Sequence, residues 1–193
     1  HFGAQRGGAD TTGRLRPMHL LPNERVWSIN VSPNGRAALL TTFIPDTSAR
    51  PTVVPEWVTA SGYVETERGR TLAGDVQSGG RMIYVALPEG RSQVLHLTPD
   101  DTTGPGSSAD VVGWNDDGSL ALVRTETAHF KYRYYYTVSD AGTPRQVDVL
   151  HDTAWVGGPC SDCAGWFNSG KRFYLVSEAT GYAHLYSEAA DVS

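Results

Sequence analysis

The chain has 193 residues, enough for one domain or part of a larger one, with 39% hydrophobic residues, 21 Gly and 11 Pro. That balance excludes a long-helix protein and favours short elements joined by turns, while 5 Trp, 9 Tyr and 5 Phe supply bulky surface for packed sheets. The net charge of −5, with Lys131 and Lys171 the only lysines, excludes the basic stripe of a nucleic-acid partner, and no apolar run is long enough to span a bilayer.

The sequence opens at His1, with neither an initiator Met nor a charged-then-apolar signal peptide, so a segment of a longer polypeptide is expected. The first patterned stretch is V-S-P-N-G-R-A-A-L-L-T-T, Val31 to Thr42. Its Asn-Gly pair supplies the positive φ of a tight turn, and strands are predicted on both sides. A long insertion, 43–80, follows, with strand-like pieces at Thr52–Val54 and Trp57–Thr59. A connection of this length inside a compact unit is uncommon and tends to be functional or mobile. A second hairpin then spans Met82–Leu97 around the turn P-E-G-R.

The pattern recurs. W-N-D-D-G-S-L-A-L-V-R-T covers Trp114–Thr125 and is followed by a hairpin from Tyr132 to Leu150 that turns around Asp140–Pro144. W-F-N-S-G-K-R-F-Y-L-V-S covers Trp166–Ser177, and A-H-L-Y begins a second hairpin that breaks off at Ser193, one strand short. Gly35 to Gly118 is 83 residues and Gly118 to Gly170 is 52. The shorter interval is close to the ~50-residue blade of a propeller, and the longer equals one blade plus the insertion. The runs A-A-L-L-T-T, L-A-L-V-R-T and F-Y-L-V-S are nearly continuous in apolar residues, as strands are when both faces are covered. A two-sheet sandwich also has short strands, but it does not repeat a four-strand unit with Trp and Gly in register.

The predicted fold is therefore all-β: β-propeller blades of four antiparallel strands, forming an incomplete propeller. The expected units are 27–97 with the insertion, 110–150, and 164–193 without its last strand. The open ends of such an arc would expose apolar faces and an unpaired edge, so further polypeptide or a partner is expected to cover them. Alone, the segment is expected to self-associate. Trp114 and Trp166 occupy equivalent repeat positions and are predicted to pack between blades. In K-Y-R-Y-Y-Y, Lys131–Tyr136, the rings are expected between sheets and the cations outside.

Three stretches carry a resemblance. V-P-E-W-V-T-A-S-G-Y-V-E-T-E-R-G-R-T, Val54–Thr71, resembles bacterial members of the prolyl oligopeptidase family, dipeptidyl peptidase IV branch. S-E-A-T-G-Y-A-H-L-Y, Ser177–Tyr186, is similar to the S-E-x-x-G-[WY]-x-H-L-Y stretch of that branch's propeller blades, and V-S-P-N-G-R matches its loose blade signature. The resemblance implies a serine peptidase, of exopeptidase type, in which the propeller gates access and helps to bind a peptide substrate, and a catalytic α/β-hydrolase domain of the same protein, outside this chain, follows it. The sequence has no G-x-S-x-G nucleophile elbow, so no catalytic residue is assigned here. Nor does it contain the Glu-Glu dipeptide with which the branch holds the substrate ammonium. The competing functions are a free-standing protein-binding propeller and an exported sensor propeller.

Glu65 and Glu67, in the insertion, are the candidate substrate-binding residues, since neighbouring carboxylates can hold an ammonium group. The plain reading is a solvated loop with Arg68 and Arg70 beside it. Cys160 and Cys163 are the only cysteines. They lack the further ligands of a structural zinc site and the βαβ setting of a redox pair. A short-loop disulfide or two thiols remain, and export would favour the disulfide. His19, His96, His129, His151 and His184 are read as structural, and Asn30-Val-Ser32, in a predicted inner strand, is discounted as a glycosylation site. No metal and no cofactor is expected, and homo-oligomers are compatible with the pattern. Fourteen Arg against two Lys match a GC-rich bacterial genome, and a periplasmic or secreted location is expected.

Overall fold

The computed structural model describes residues 18–48, 50–69, 72, 75, 78–87, 89–97, 108–157, 160, 163–167 and 170–190. All regular structure among them is β, and every strand pair is antiparallel. The first sheet has the order β1-β2-β5-β6, from Arg25–Val31, Ala37–Phe43, Met82–Ala86 and Arg91–Leu95. The second is a meander of β7 (Ser108–Trp114), β8 (Leu120–Glu126), β9 (Tyr132–Ser139) and β10 (Pro144–His151). The third holds β11 (Ala164–Trp166), β12 (Arg172–Ser177) and β13 (His184–Ala189). Between β2 and β5, β3 (Val53–Glu56) and β4 (Glu65–Arg68) form a separate two-stranded ribbon. The strand predicted at Trp57–Thr59 is absent; those residues belong to the ribbon's connecting loop.

One turn design opens each sheet. Gly35, Gly118 and Gly170 have φ of 69°, 70° and 62°, and each amide donates to the carbonyl three residues earlier, at Ser32, Asn115 and Phe167, over 2.8–3.0 Å. Ser169, predicted before the third glycine, and Pro88 of the P-E-G-R turn lie outside the described residues. Ser32 and Asn115 hold equivalent positions and act alike. The Ser32 hydroxyl accepts from the Ala37 amide and the Asn115 carbonyl oxygen from the Leu120 amide, each at 3.0 Å.

Three successive meanders stacked face to face are β-propeller blades. Strand β8 shows why its sequence is so apolar. Ala121 and Val123 point into a core with Ala37, Leu39, Met82 and Tyr84 of the first sheet, whereas Leu122 points into a core with Phe173 and Leu175 of the third. The equivalent tryptophans bridge these interfaces in the same way. Trp114 Nε1 donates to the Asn30 carbonyl at 3.4 Å, and Trp166 Nε1 to the Gly113 carbonyl at 2.9 Å. Asn30 and Gly113 each precede the matching repeat position, so one contact recurs from blade to blade.

Arg133 departs from the expected pattern. Tyr134, Tyr135 and Tyr136 are buried as predicted, but so is Arg133. Its guanidinium is paired with Glu126 (2.7 Å) and donates to the Gly157 carbonyl (3.2 Å). A planar cation with its donors satisfied can be enclosed where a bare one cannot.

Turns of adjacent blades also touch. Asn34 Nδ2 donates to the Gly118 carbonyl at 2.9 Å, and a Cβ on Gly118 would stand 2.7 Å from the Asn34 amide nitrogen. Gly35 has the same backbone conformation but open space where its Cβ would go. Gly35→Ala should therefore cost only the left-handed backbone strain, about 1–2 kcal/mol. Gly118→Ala should cost clearly more in the same denaturant titration, because it also pushes one blade off the next. Equal losses would show that the turn contact contributes nothing.

Candidate functional site

Because successive strands reverse direction, the tight turns after β1, β5, β7, β9 and β11 lie along one rim. The insertion and the β8–β9 and β12–β13 loops lie along the other. Seven of the eight exposed aromatic side chains among the described residues stand at the insertion rim or on the insertion, including Trp27, Trp57, Tyr63, Phe130, Trp155 and Tyr182, each 51–80% exposed. The turn rim carries Phe167.

The insertion is fastened at its root. Ile44 and Gly79 exchange backbone hydrogen bonds (2.7 and 3.0 Å), and the Thr42 amide donates to the Arg81 carbonyl (2.9 Å), extending the β2–β5 pairing outward. Across this root lies Glu24, whose side chain is fully buried. It receives Arg81 Nε (2.9 Å) and Nη2, the Thr42 hydroxyl (2.6 Å) and the Leu21 amide (2.7 Å). Burial alone would raise the pKa of this carboxyl, but the hydrogen bonds from Arg81, Thr42 and Leu21, with the Arg81 charge, outweigh it and hold the pKa below its ordinary value.

Beyond the root the ribbon stands free, with every strand residue exposed. Its register places Val54 opposite Glu67 and Glu56 opposite Glu65. Side chains alternate along a strand, so Glu56, Glu65 and Glu67 share one face, while Arg68 shares the other with Val53. Glu65 and Glu67 are thus brought together, and neither has a salt bridge among the described residues. Glu65 accepts a hydrogen bond from the Ser61 hydroxyl at 2.8 Å, which steadies it over the loop. Arg68, the expected neutralising neighbour, is on the wrong face; Arg70 lies outside the described residues.

Glu56 is the residue that sequence reasoning missed. Reading V-V-P-E and E-T-E-R as the two arms of a hairpin would have found it. Like charges directly opposite one another weaken a ribbon, so this acidic face suits a cation supplied from outside. No group of His, Cys, Asp and Glu able to hold a metal ion occurs among the described residues.

The other candidates are scattered. Cys160 and Cys163 are joined in a disulfide, with Cα atoms 5.4 Å apart, in the link between β10 and β11. His151 stacks on Tyr132 with centroids 4.2 Å apart, and His184 lies exposed on β13, 6.4 Å from the Tyr186 ring.

No known family model and no curated protein sequence matches the chain. Solved structures do resemble it. A crystal structure assigned as a dipeptidyl aminopeptidase IV from Bacteroides ovatus aligns with a TM-score of 0.52 and 14% identity over 84% of this chain. Porphyromonas gingivalis dipeptidyl peptidase 4 aligns with a TM-score of 0.60 and 15% identity over 82%. The chain spans 22% of the length of each. At such identities the likeness is one of fold: the chain is folded as a portion of the propeller of dipeptidyl peptidase IV structures.

Proposed function

We propose that this chain is the substrate-gating and substrate-binding propeller portion of a serine peptidase that removes dipeptides from peptide amino termini. A catalytic α/β-hydrolase domain of the same protein would supply the nucleophile. The observation that carries the reading is the acidic face of the ribbon, Glu56, Glu65 and Glu67, raised from the rim that also presents the exposed aromatics. A peptide's amino terminus is a cation, and carboxylates that have no salt bridge among the described residues can bind it by charge-assisted hydrogen bonds. Aromatic side chains around such a site offer stacking and apolar contact for the rest of the peptide. The fold likeness to dipeptidyl peptidase structures supports the same reading.

The test uses the protein with its catalytic domain and a pair of dipeptidyl nitroanilides, one with a free amino end and one acetylated. Glu65→Gln/Glu67→Gln should raise KM for the free-amino substrate roughly tenfold or more, since hydrogen bonds to charged groups contribute ~1.5–3 kcal/mol. Turnover of the acetylated substrate should be unchanged. Equal effects on both substrates would sink the ammonium reading, and failure of a fluorophosphonate probe to label the protein would sink the serine-peptidase reading.

A further inference from the structure

A concave feature apart from the acidic ribbon lies at the insertion rim, where the first blade meets the second. It is a cleft of about 430 Å³, within the ~300–1,000 Å³ typical of ligand pockets. Trp27 and Phe43 form one corner, with ring centroids 6.4 Å apart and planes inclined by 48°. Ala109, on β7, faces it from the second blade, and the backbone of Gly79 and Gly80 forms part of the lining. That stretch has to be bare at Gly80, because a Cβ there would collide with the Thr42 carbonyl oxygen.

We propose that this cleft is a subsite for an uncharged apolar side chain, aromatic or large aliphatic, of a bound peptide. That the occupant belongs to a peptide rests on the function proposed above; that it is apolar and uncharged does not. Charge decides the class. Two charged residues line the cleft, and each already has a partner: Arg81 is held by Glu24, and Asp110 is paired with Arg124 at 3.1 Å. An ionic ligand would find no unpaired countercharge in this lining: reaching Arg81 means breaking a pair whose Glu24 side chain is fully buried, and Asp110, 56% exposed and already paired, offers an ion little in water. An apolar group meets two aromatic faces, an alanine methyl and bare glycine backbone, and gains by leaving water. Trp27, 79% exposed, has little of its own surface covered, so an occupant would bury it.

The probe is N-acetyl-phenylalaninamide, which has no ammonium and therefore makes no demand on Glu65 or Glu67. With 5-fluorotryptophan incorporated into the protein, the 5 Trp signals can be followed by fluorine NMR and Trp27 assigned by Trp27→Phe. The Trp27 signal should shift saturably with the phenylalanine derivative, at least about tenfold more tightly than with N-acetyl-lysinamide, the scale on which an apolar pocket discriminates. Ala109→Phe, which fills the cleft, should abolish the shift. Phe43→Ala, at a side chain already partly exposed, should weaken binding without disturbing the fold. Glu65→Gln/Glu67→Gln should leave binding intact, so this subsite and the ammonium site can fail separately. No saturable shift, an equal response to the lysine derivative, or a shift that survives both Ala109→Phe and Phe43→Ala would overturn the proposal.

Discussion

Glu24→Ala should be among the most damaging single substitutions in this chain, with a loss of about 3–5 kcal/mol, because it leaves a guanidinium beneath the insertion without its countercharge. The Arg81 side chain is only 17% exposed, and the Glu24 side chain not at all, so solvent cannot replace what is removed. The first consequence should be local. Glu24 joins the segment before β1 to both ends of the insertion's root, so limited trypsin digestion should cut at Arg68 sooner than in the parent protein. The same clamp predicts an acid response. A carboxyl whose pKa is lower in the folded state contributes its stability above its unfolded pKa, near 4.5, and loses it as pH falls through the folded value. The insertion should be secure at neutral pH and loosen under strong acid, and Glu24→Gln should remove that part of the pH dependence. An unchanged digestion rate in Glu24→Ala would mean that the backbone bridge between Ile44 and Gly79 holds the root alone.

Phe173→Ala should have an effect of comparable size, about 3–5 kcal/mol, the usual result of emptying a buried aromatic site. Phe173 is fully buried, meets Trp166 edge-on at 6.1 Å and shares its core with Leu122, Tyr135 and Leu175. That core joins the third sheet to the second and does not reach the first. Loss of the ring should therefore raise hydrogen exchange in β11–β13 and on the facing side of the second sheet, while β2 and β5 keep their protection. Equal loosening of all three sheets would show that the blades unfold as one unit.

Local chemistry alone determined much of this molecule. Turn glycines at 35, 118 and 170, apolar runs after them and tryptophans four residues before two of them announce repeated hairpins, since only a few residues tolerate a left-handed turn. The nearly unbroken apolar runs also showed that the strands are covered on both faces. What could not be read was anything that depends on pairing between segments distant in sequence. Glu56 joins Glu65 and Glu67 only through the register of β3 on β4, and a shift by one residue would put it on the other face. Arg133 looks like a surface cation until the fold brings Glu126 and the Gly157 carbonyl to it. Glu24 is an ordinary acid in the sequence, and burial against Arg81, 57 residues away, makes it the clamp of the insertion. The periodicity of a strand is written in neighbouring residues, whereas burial and charge pairing depend on which distant residues the tertiary fold brings together.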